Sequence, residues 1–102
     1  MRPAARVGDA VVTGHPCTPV TTLVSTPQAT VTIAGSLAAV VGAIVDPTHT
    51  WLPGSSCVPH PGQTVTTGSS TVIIGGLPAA RIGDTADLGA VSSGAATCLI
   101  GG

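Results

Sequence analysis

A 17-residue unit that recurs along the chain constrains the fold more than any other feature. Segment 68–84 aligns without gaps with residues 27–43, at an offset of 41 positions. Seven of the 17 aligned positions are identical, namely Thr30, Val31, Ile33, Gly35, Ala38, Ala39 and Gly42. Short-period repeats are typical of stacked or radial architectures. The sequence therefore predicts copies of one small unit that pack against one another.

The two ends of the chain each carry half of this unit. Residues 94–102 match the first half of segment 68–84, and residues 3–9 match its second half. The simplest geometry places the termini side by side, so that 94–102 and 2–9 complete a third unit. Three units then close a ring with a pseudo-threefold axis inside a single domain, 1–102.

Each unit has the pattern of strand, turn and strand. Residues 71–74 are rich in β-branched side chains, which favour extended backbone. Gly75 and Gly76 favour a tight turn, and Pro78 starts the return strand at a position that tolerates a missing donor. Helical periodicity with capping residues is not found in any window. We therefore expect an all-β fold of many short strands.

Composition excludes several functions. The chain has 102 residues, and its only charged side chains are three Arg and four Asp. Without Lys, neither a phosphate-binding P-loop nor a Schiff-base enzyme is possible. Three Arg are too few to neutralise the phosphates that a DNA-binding protein contacts. We expect no nucleic-acid partner.

The core is poor in large side chains, because Trp51 is the only aromatic residue. Small domains with such cores usually gain stability from disulfides, a metal or a partner. Three Cys, an odd number, argue against a full disulfide framework, and the N-terminus lacks the apolar run of a signal peptide. We therefore expect a reduced, cytoplasmic folding compartment and a metal or a partner.

The motif Pro-Ala-Ala-Arg, followed by an apolar residue, Gly and Asp, occurs at Pro3–Asp9 and Pro78–Asp84. Together with Gly-Ser-Ser-Thr-Val-Ile-Ile-Gly-Gly at 68–76, it resembles the PAAR-repeat proteins over nearly the whole chain. The middle unit departs from this pattern at Ser36–Val40, and Ala43 replaces the motif's Asp. The resemblance implies a small cone of three pseudo-symmetric repeats on a trimeric β-helical spike, with a metal, usually zinc, near the vertex.

This resemblance implies a structural tip, not an enzyme. One copy would cap and sharpen a trimeric spike protein (VgrG-like or a phage spike) and help it to pierce a target membrane. The machine would be a type VI secretion system, a contractile phage tail or an extracellular injection particle. The protein would be made in the cytoplasm and then sit at the particle tip, delivered to the target cell or virion-associated.

Two alternative functions remain open. The chain could be an adaptor that tethers a separate effector or cargo to the spike. A small zinc hydrolase is a weaker alternative, because the common hydrolase and metalloprotease motifs are missing.

Candidate metal ligands lie in the segments between the units. These segments are 10–26, 44–67 and 85–93, and a ring of units would gather them at one end. His and Cys side chains suit a closed, tetrahedral structural Zn²⁺ site. The predicted ligands are His15, His49, Cys57 and His60.

Cys57 is preferred because Cys57 and His60 have a spacing that suits two ligands on one turn, although Cys17 beside His15 is an alternative. Asp87 is interpreted as a surface carboxylate and Cys98 as a small buried hydrophobic residue. Trp51 either covers the metal or is exposed where the tip meets a membrane.

Overall fold

The computed structural model describes residues 1–15, 17–51, 56–87 and 89–101. These ranges contain strands and turns and no helix, so the all-β prediction is confirmed. The strands are β1 (Arg2–Ala4), β2 (Ala10–Val12), β3 (Val20–Ser25), β4 (Thr32–Ile33), β5 (Ser36–Leu37), β6 (Ile44–Val45), β7 (Thr50–Trp51), β8 (Val58–Pro59), β9 (Ile73–Ile74), β10 (Leu77–Pro78), β11 (Thr85–Ala86), β12 (Gly89–Val91) and β13 (Ala95–Ile100). A search of the described ranges finds no helix that is long and apolar enough to cross a membrane.

Three buried alanines, one from each unit, close the ring through their backbones. The amide of Ala5 donates to the carbonyl of Ala80 at 2.9 Å, and the amide of Ala80 donates to Ala39 at 2.9 Å. The amide of Ala39 donates back to Ala5 at 3.0 Å, which completes the cycle. Each alanine is at most 1% exposed. Because these backbones meet at a tightly packed axis, we expect a larger side chain here to overpack the core.

Isolated β-bridges repeat the same threefold pattern around the axis. They join Ala4 to Arg81, Ala79 to Val40, and Ala38 to Arg6. Ala4, Ala38 and Ala79 occupy one position of the repeat, and their three partners occupy another. The predicted pseudo-threefold ring is therefore present in the backbone hydrogen bonding.

The chain termini complete the third unit, as the half-repeats predict. Strand β1 pairs antiparallel with β13, with Arg2 opposite Ile100 and Pro3 opposite Leu99. This pair takes the place that the hairpins β4–β5 and β9–β10 hold in the other two units. The N- and C-terminal residues are thus part of the ring and not peripheral tails.

Two of the units order their turn with an internal Arg–Asp pair. The carboxylate of Asp9 accepts hydrogen bonds from the backbone amide and the guanidinium of Arg6. Asp84 binds Arg81 in the same way, with the same three distances. In both units the carboxylate therefore orders the turn by accepting a backbone amide as well as the guanidinium.

The middle unit keeps the same turn without that pair. Val40 and Ala43 take the positions of Arg and Asp, and both are fully buried. The hydroxyl of Thr26 accepts the amide of Val40 at 3.3 Å, in place of the missing carboxylate. The equivalent hydroxyls, Ser93 and Thr67, donate instead to the Asp of their own units. A hydroxyl occupies this position in all three units, and in the middle unit it compensates for the missing Asp.

The ring separates two ends of an elongated molecule, 41 × 23 × 22 Å. One apolar cluster, which contains Ala4, Ala79 and Ile100, packs beneath the unit hairpins. A second cluster fills the axis and the space beneath a five-stranded sheet with the order β11-β12-β2-β3-β6. Because these five strands belong to the three inter-unit segments, all three segments leave the ring toward the same end.

Closure by β13 predicts that the C-terminal residues are required for folding. Deletion of residues 94–102 removes the partner of β1 and leaves the ring open, so the chain should lose its cooperative thermal transition by circular dichroism. Leu99→Thr, which alters an exposed side chain of β13, is the control and should melt cooperatively. A truncated chain that melts like the full chain would contradict ring closure.

The compensation at Thr26 predicts a specific cost for losing its hydroxyl. Thr26→Val leaves the buried amide of Val40 without its acceptor and should lower the free energy of unfolding by about 1 kcal/mol. Thr22→Val, the same change at an exposed position of β3, should stay within about 0.5 kcal/mol. Equal effects of the two variants in urea denaturation would refute the assigned role.

Candidate metal centre

Four side chains from all three inter-unit segments meet at the end of the molecule away from the hairpins. His15 follows β2, His49 precedes β7, His60 follows β8 and Asp87 lies in the turn after β11. One nitrogen or oxygen atom from each lies within 4.8 Å of the others. The prediction that His15, His49 and His60 gather at one end agrees with this arrangement.

Asp87 lies at the centre of the group. Its Oδ1 is 2.8 Å from Nε2 of His15, and its Oδ2 is 2.7 Å from Nε2 of His49. Its side chain is 1% exposed, so the prediction of a surface carboxylate is wrong. The third segment is the shortest of the three, and its hairpin turn places Asp87 at the common end.

The backbone of Asp87 has an unusual conformation that suits this residue type. Its φ is 58°, in the left-handed region that most side chains avoid and that Asp tolerates. This conformation forms the turn between β11 and β12, which pair antiparallel. Turn formation and presentation of the carboxylate therefore depend on the same residue.

The surroundings keep Asp87 ionised. Burial acts to raise its pKa, but hydrogen bonds with His15 and His49 and electrostatic interactions with His15 and His60 act in the opposite direction. The net effect is a pKa below the ordinary value for Asp. The carboxylate is therefore charged at neutral pH, which is the form that binds a cation.

A ring contact orients His49, and backbone hydrogen bonds position His60 and His15. Nδ1 of His49 contacts the carbonyl oxygen of Asp46, which leaves Nε2 to face Asp87. The amide of His60 donates to the carbonyl of His49 at 2.9 Å, so these two residues are held together across β7 and β8. The amide of His15 donates to the hydroxyl of Thr13 at 3.1 Å.

The spacing of the four side chains fits a single small cation. Nδ1 of His60 is 3.0 Å from Nε2 of His15 and 3.4 Å from Oδ2 of Asp87. Ligand atoms placed tetrahedrally around Zn²⁺ at their usual bond lengths lie about 3.3 Å from one another. Three imidazoles and one carboxylate are a donor set that Zn²⁺ accepts. The group could therefore hold one metal ion.

Cys57 does not join this group, which corrects the predicted ligand set. Its sulfur forms a disulfide with Cys17, so neither Cys57 nor the alternative, Cys17, has the thiolate that binds a metal. Cys57 and His60 flank a strand, β8, and not the turn that their spacing suggested. Residues three apart in extended backbone point to opposite faces, and Cys57 accordingly lies at the surface.

The disulfide pairs two of the three cysteines, although the sequence favoured a reduced folding compartment. It joins residues 40 positions apart, and closing a loop of that length contributes about 4 kcal/mol to stability in the chain-entropy description. Cys98 is the remaining free cysteine and packs against the cluster beneath the hairpins as a hydrophobic residue, but it is partly and not fully buried. The side chain of Trp51 lies outside the described residues, and its two possible roles stay predictions.

Comparison with known families places most of the chain within a family model. The profile of a family described as the PAAR motif matches residues 13–93, which include all four residues of the group and the units 27–43 and 68–84. A comparison with curated proteins gives no match.

The central position of Asp87 predicts that its charge is needed to retain a metal. Protein purified without added metal should carry close to one zinc per chain by elemental analysis. Asp87→Asn should weaken zinc affinity by at least about tenfold, because it removes the negative charge between the imidazoles.

Asp46→Asn is the matched control for this variant. Asp46 lies near the same end, but its carboxylate is exposed and accepts hydrogen bonds only from Thr48 among the contacts described. This variant should bind zinc as the wild type does. Wild-type affinity in Asp87→Asn, measured by competition with a zinc chelator, would exclude Asp87 as a ligand.

Proposed function

Because this chain belongs to the PAAR-motif family, we propose that it is the tip of a contractile injection machine, where one copy caps a trimeric spike and helps it to pierce a target membrane. Family membership supports a structural role associated with the spike tip. The proposal that one copy caps a trimer rests on the closed ring, in which three similar units surround one axis. A single chain of this kind offers three comparable edges to three identical subunits.

The hairpin end of the molecule has the character of a docking surface. Ile73 and Leu99, which occupy the same position of the repeat, are 56% and 50% exposed, and Val31 of the middle unit is also exposed. In the middle unit the equivalent residue is Thr32. Exposed apolar side chains on short, unprotected strands favour association with another protein. Docking on a trimer would bury them and stabilise a core that is poor in aromatics.

The opposite end has the features of a rigid point. Residues from all three inter-unit segments meet in the group of three His and Asp87, and a disulfide joins two of these segments. We propose that a structural Zn²⁺ bound by His15, His49, His60 and Asp87 ties the segments together. Such a link resists separation of the segments when a sheath drives the spike forward.

Four protein ligands favour a structural site over a catalytic one. Catalytic zinc sites usually keep one position for water or substrate, whereas closed sites with four protein ligands are structural. This argues against the zinc hydrolase alternative. When bound, the metal would supply folding free energy and no chemistry.

One observation favours the adaptor as a second function. Val12, Val20, Val24 and Ile44 are all exposed, and they lie on three neighbouring strands of the five-stranded sheet. Val12 and Val20 are direct cross-strand partners. An apolar flank that lies outside the hairpin end could bind an effector or cargo while the hairpins engage a spike.

The proposed docking predicts a one-to-three complex. Native mass measurement of this chain with a purified homotrimeric spike protein of its injection system should give one copy per trimer. Ile73→Arg, at the hairpin end, should weaken the complex, because the new charge would be buried at the interface.

Val20→Arg is the control, because it adds the same charge to the exposed flank. It should leave the complex intact. A complex with three copies per trimer would refute the proposal, as would equal losses in the two variants.

A further inference from the structure

We propose that the Cys17–Cys57 disulfide is a redox-controlled staple that sets how long the tip retains its metal. The inference rests on the proposed zinc site and adds a means of regulating it. It follows from the position of the disulfide between two ligand-bearing segments. Neither cysteine is needed for the His and Asp contacts themselves.

The disulfide is close in sequence to a ligand on each side. Cys17 follows His15 by two residues, and Cys57 precedes His60 by three. Their Cα atoms are 5.9 Å apart, so the first and second inter-unit segments are tied together beside the metal centre. The disulfide therefore restrains the separation of His15 from His60, whose ring nitrogens are 3.0 Å apart.

The disulfide matters most for the part of the second segment that carries His49 and His60, because the strands described there are short. Strands β7 and β8, which lie next to His49 and His60, have two residues each and form a separate two-stranded sheet. Hairpins of this size are marginally stable on their own. The amide of Thr50 donates to the hydroxyl of Thr18 at 2.9 Å, and the two hydroxyls share a hydrogen bond of 2.7 Å, which reinforces the same connection.

Loss of the disulfide would change the rate of metal release and not the number of ligands. All four ligand residues remain when the disulfide is reduced, so the site can still bind one ion. The hairpin with His49 and His60 can then move away from His15 more easily, and each such opening exposes a partly coordinated ion to competitors. The disulfide should therefore slow release of the metal.

Reduction requires a thiol from outside the chain, such as a low-molecular-weight thiol of the glutathione class. Its thiolate attacks Sγ of Cys57, because Cys57 is exposed and Cys17 is partly buried. Cys17 leaves as a thiolate, and a second small thiol releases Cys57 from the mixed disulfide. In total, two small thiols are oxidised to one small-molecule disulfide. The two protons that they lose convert Cys17 and Cys57 to thiols.

Three forms of the full chain test the staple. They are the disulfide form, the form reduced with a small thiol, and the double variant Cys17→Ser/Cys57→Ser. Thiol titration should find one reactive sulfur, Cys98, in the unfolded disulfide form and three after reduction. Each form is loaded with zinc, and release to a chromogenic chelator is followed without oxygen.

The disulfide form should release zinc at least about tenfold more slowly than the double variant. An effect of this size is typical when a group that positions a metal ligand is removed. The reduced form should match the double variant. Cys98→Ser is the matched control and should release zinc as the disulfide form does. Circular dichroism shows whether the double variant is folded, and the reduced wild-type chain provides the comparison if it is not.

Two results would overturn the staple and leave the proposed metal centre intact. Equal release from all three forms would show that the disulfide has no influence on the metal. Slower release from the reduced form than from both other forms would show that a freed thiolate binds zinc, with the opposite redox dependence. Failure of every form to bind zinc would instead remove the metal centre, and the staple with it.

Discussion

The cycle of backbone hydrogen bonds among Ala5, Ala39 and Ala80 is the interaction on which the rest of the structure depends. It joins one residue of each unit around a single axis and uses no side chain beyond a methyl group. This explains how 102 residues with one aromatic form a core, because the axis is filled by backbone and by alanine and valine side chains. The ring that this cycle closes has the unit hairpins on one side and the inter-unit segments on the other.

The two sides of the ring are stabilised by different means. Beneath the hairpins, equivalent residues of three units pack in a threefold arrangement. In the middle unit, which has Val40 and Ala43 in place of the Arg–Asp pair, the hydroxyl of Thr26 accepts the amide of Val40. At the other end the three segments differ in length and cannot pack symmetrically. There the buried charge of Asp87, its contacts with His15 and His49, and a disulfide hold the segments together.

This division agrees with the function that we propose for a PAAR-motif protein. The hairpin side repeats one surface three times, as a trimeric partner requires. The other side is unsymmetrical and concentrates its strongest links in a small volume, as a point under load requires. Four protein residues surround the candidate metal position, as in the closed zinc sites that hold segments in place.

The sequence by itself determined the strand-turn-strand units, the closure of the ring by the two termini, and the convergence of His15, His49 and His60. These features follow from local propensity and from repeats, which a linear sequence records directly. Only the tertiary structure decided the fourth member of the group and the state of the cysteines. Cys57 and His60 flank the strand β8 and point to opposite sides, so Cys57 meets Cys17 and not the imidazoles. Asp87 reaches the imidazoles because its left-handed turn directs the shortest segment to the same end, which depends on the packing of all three segments around the axis.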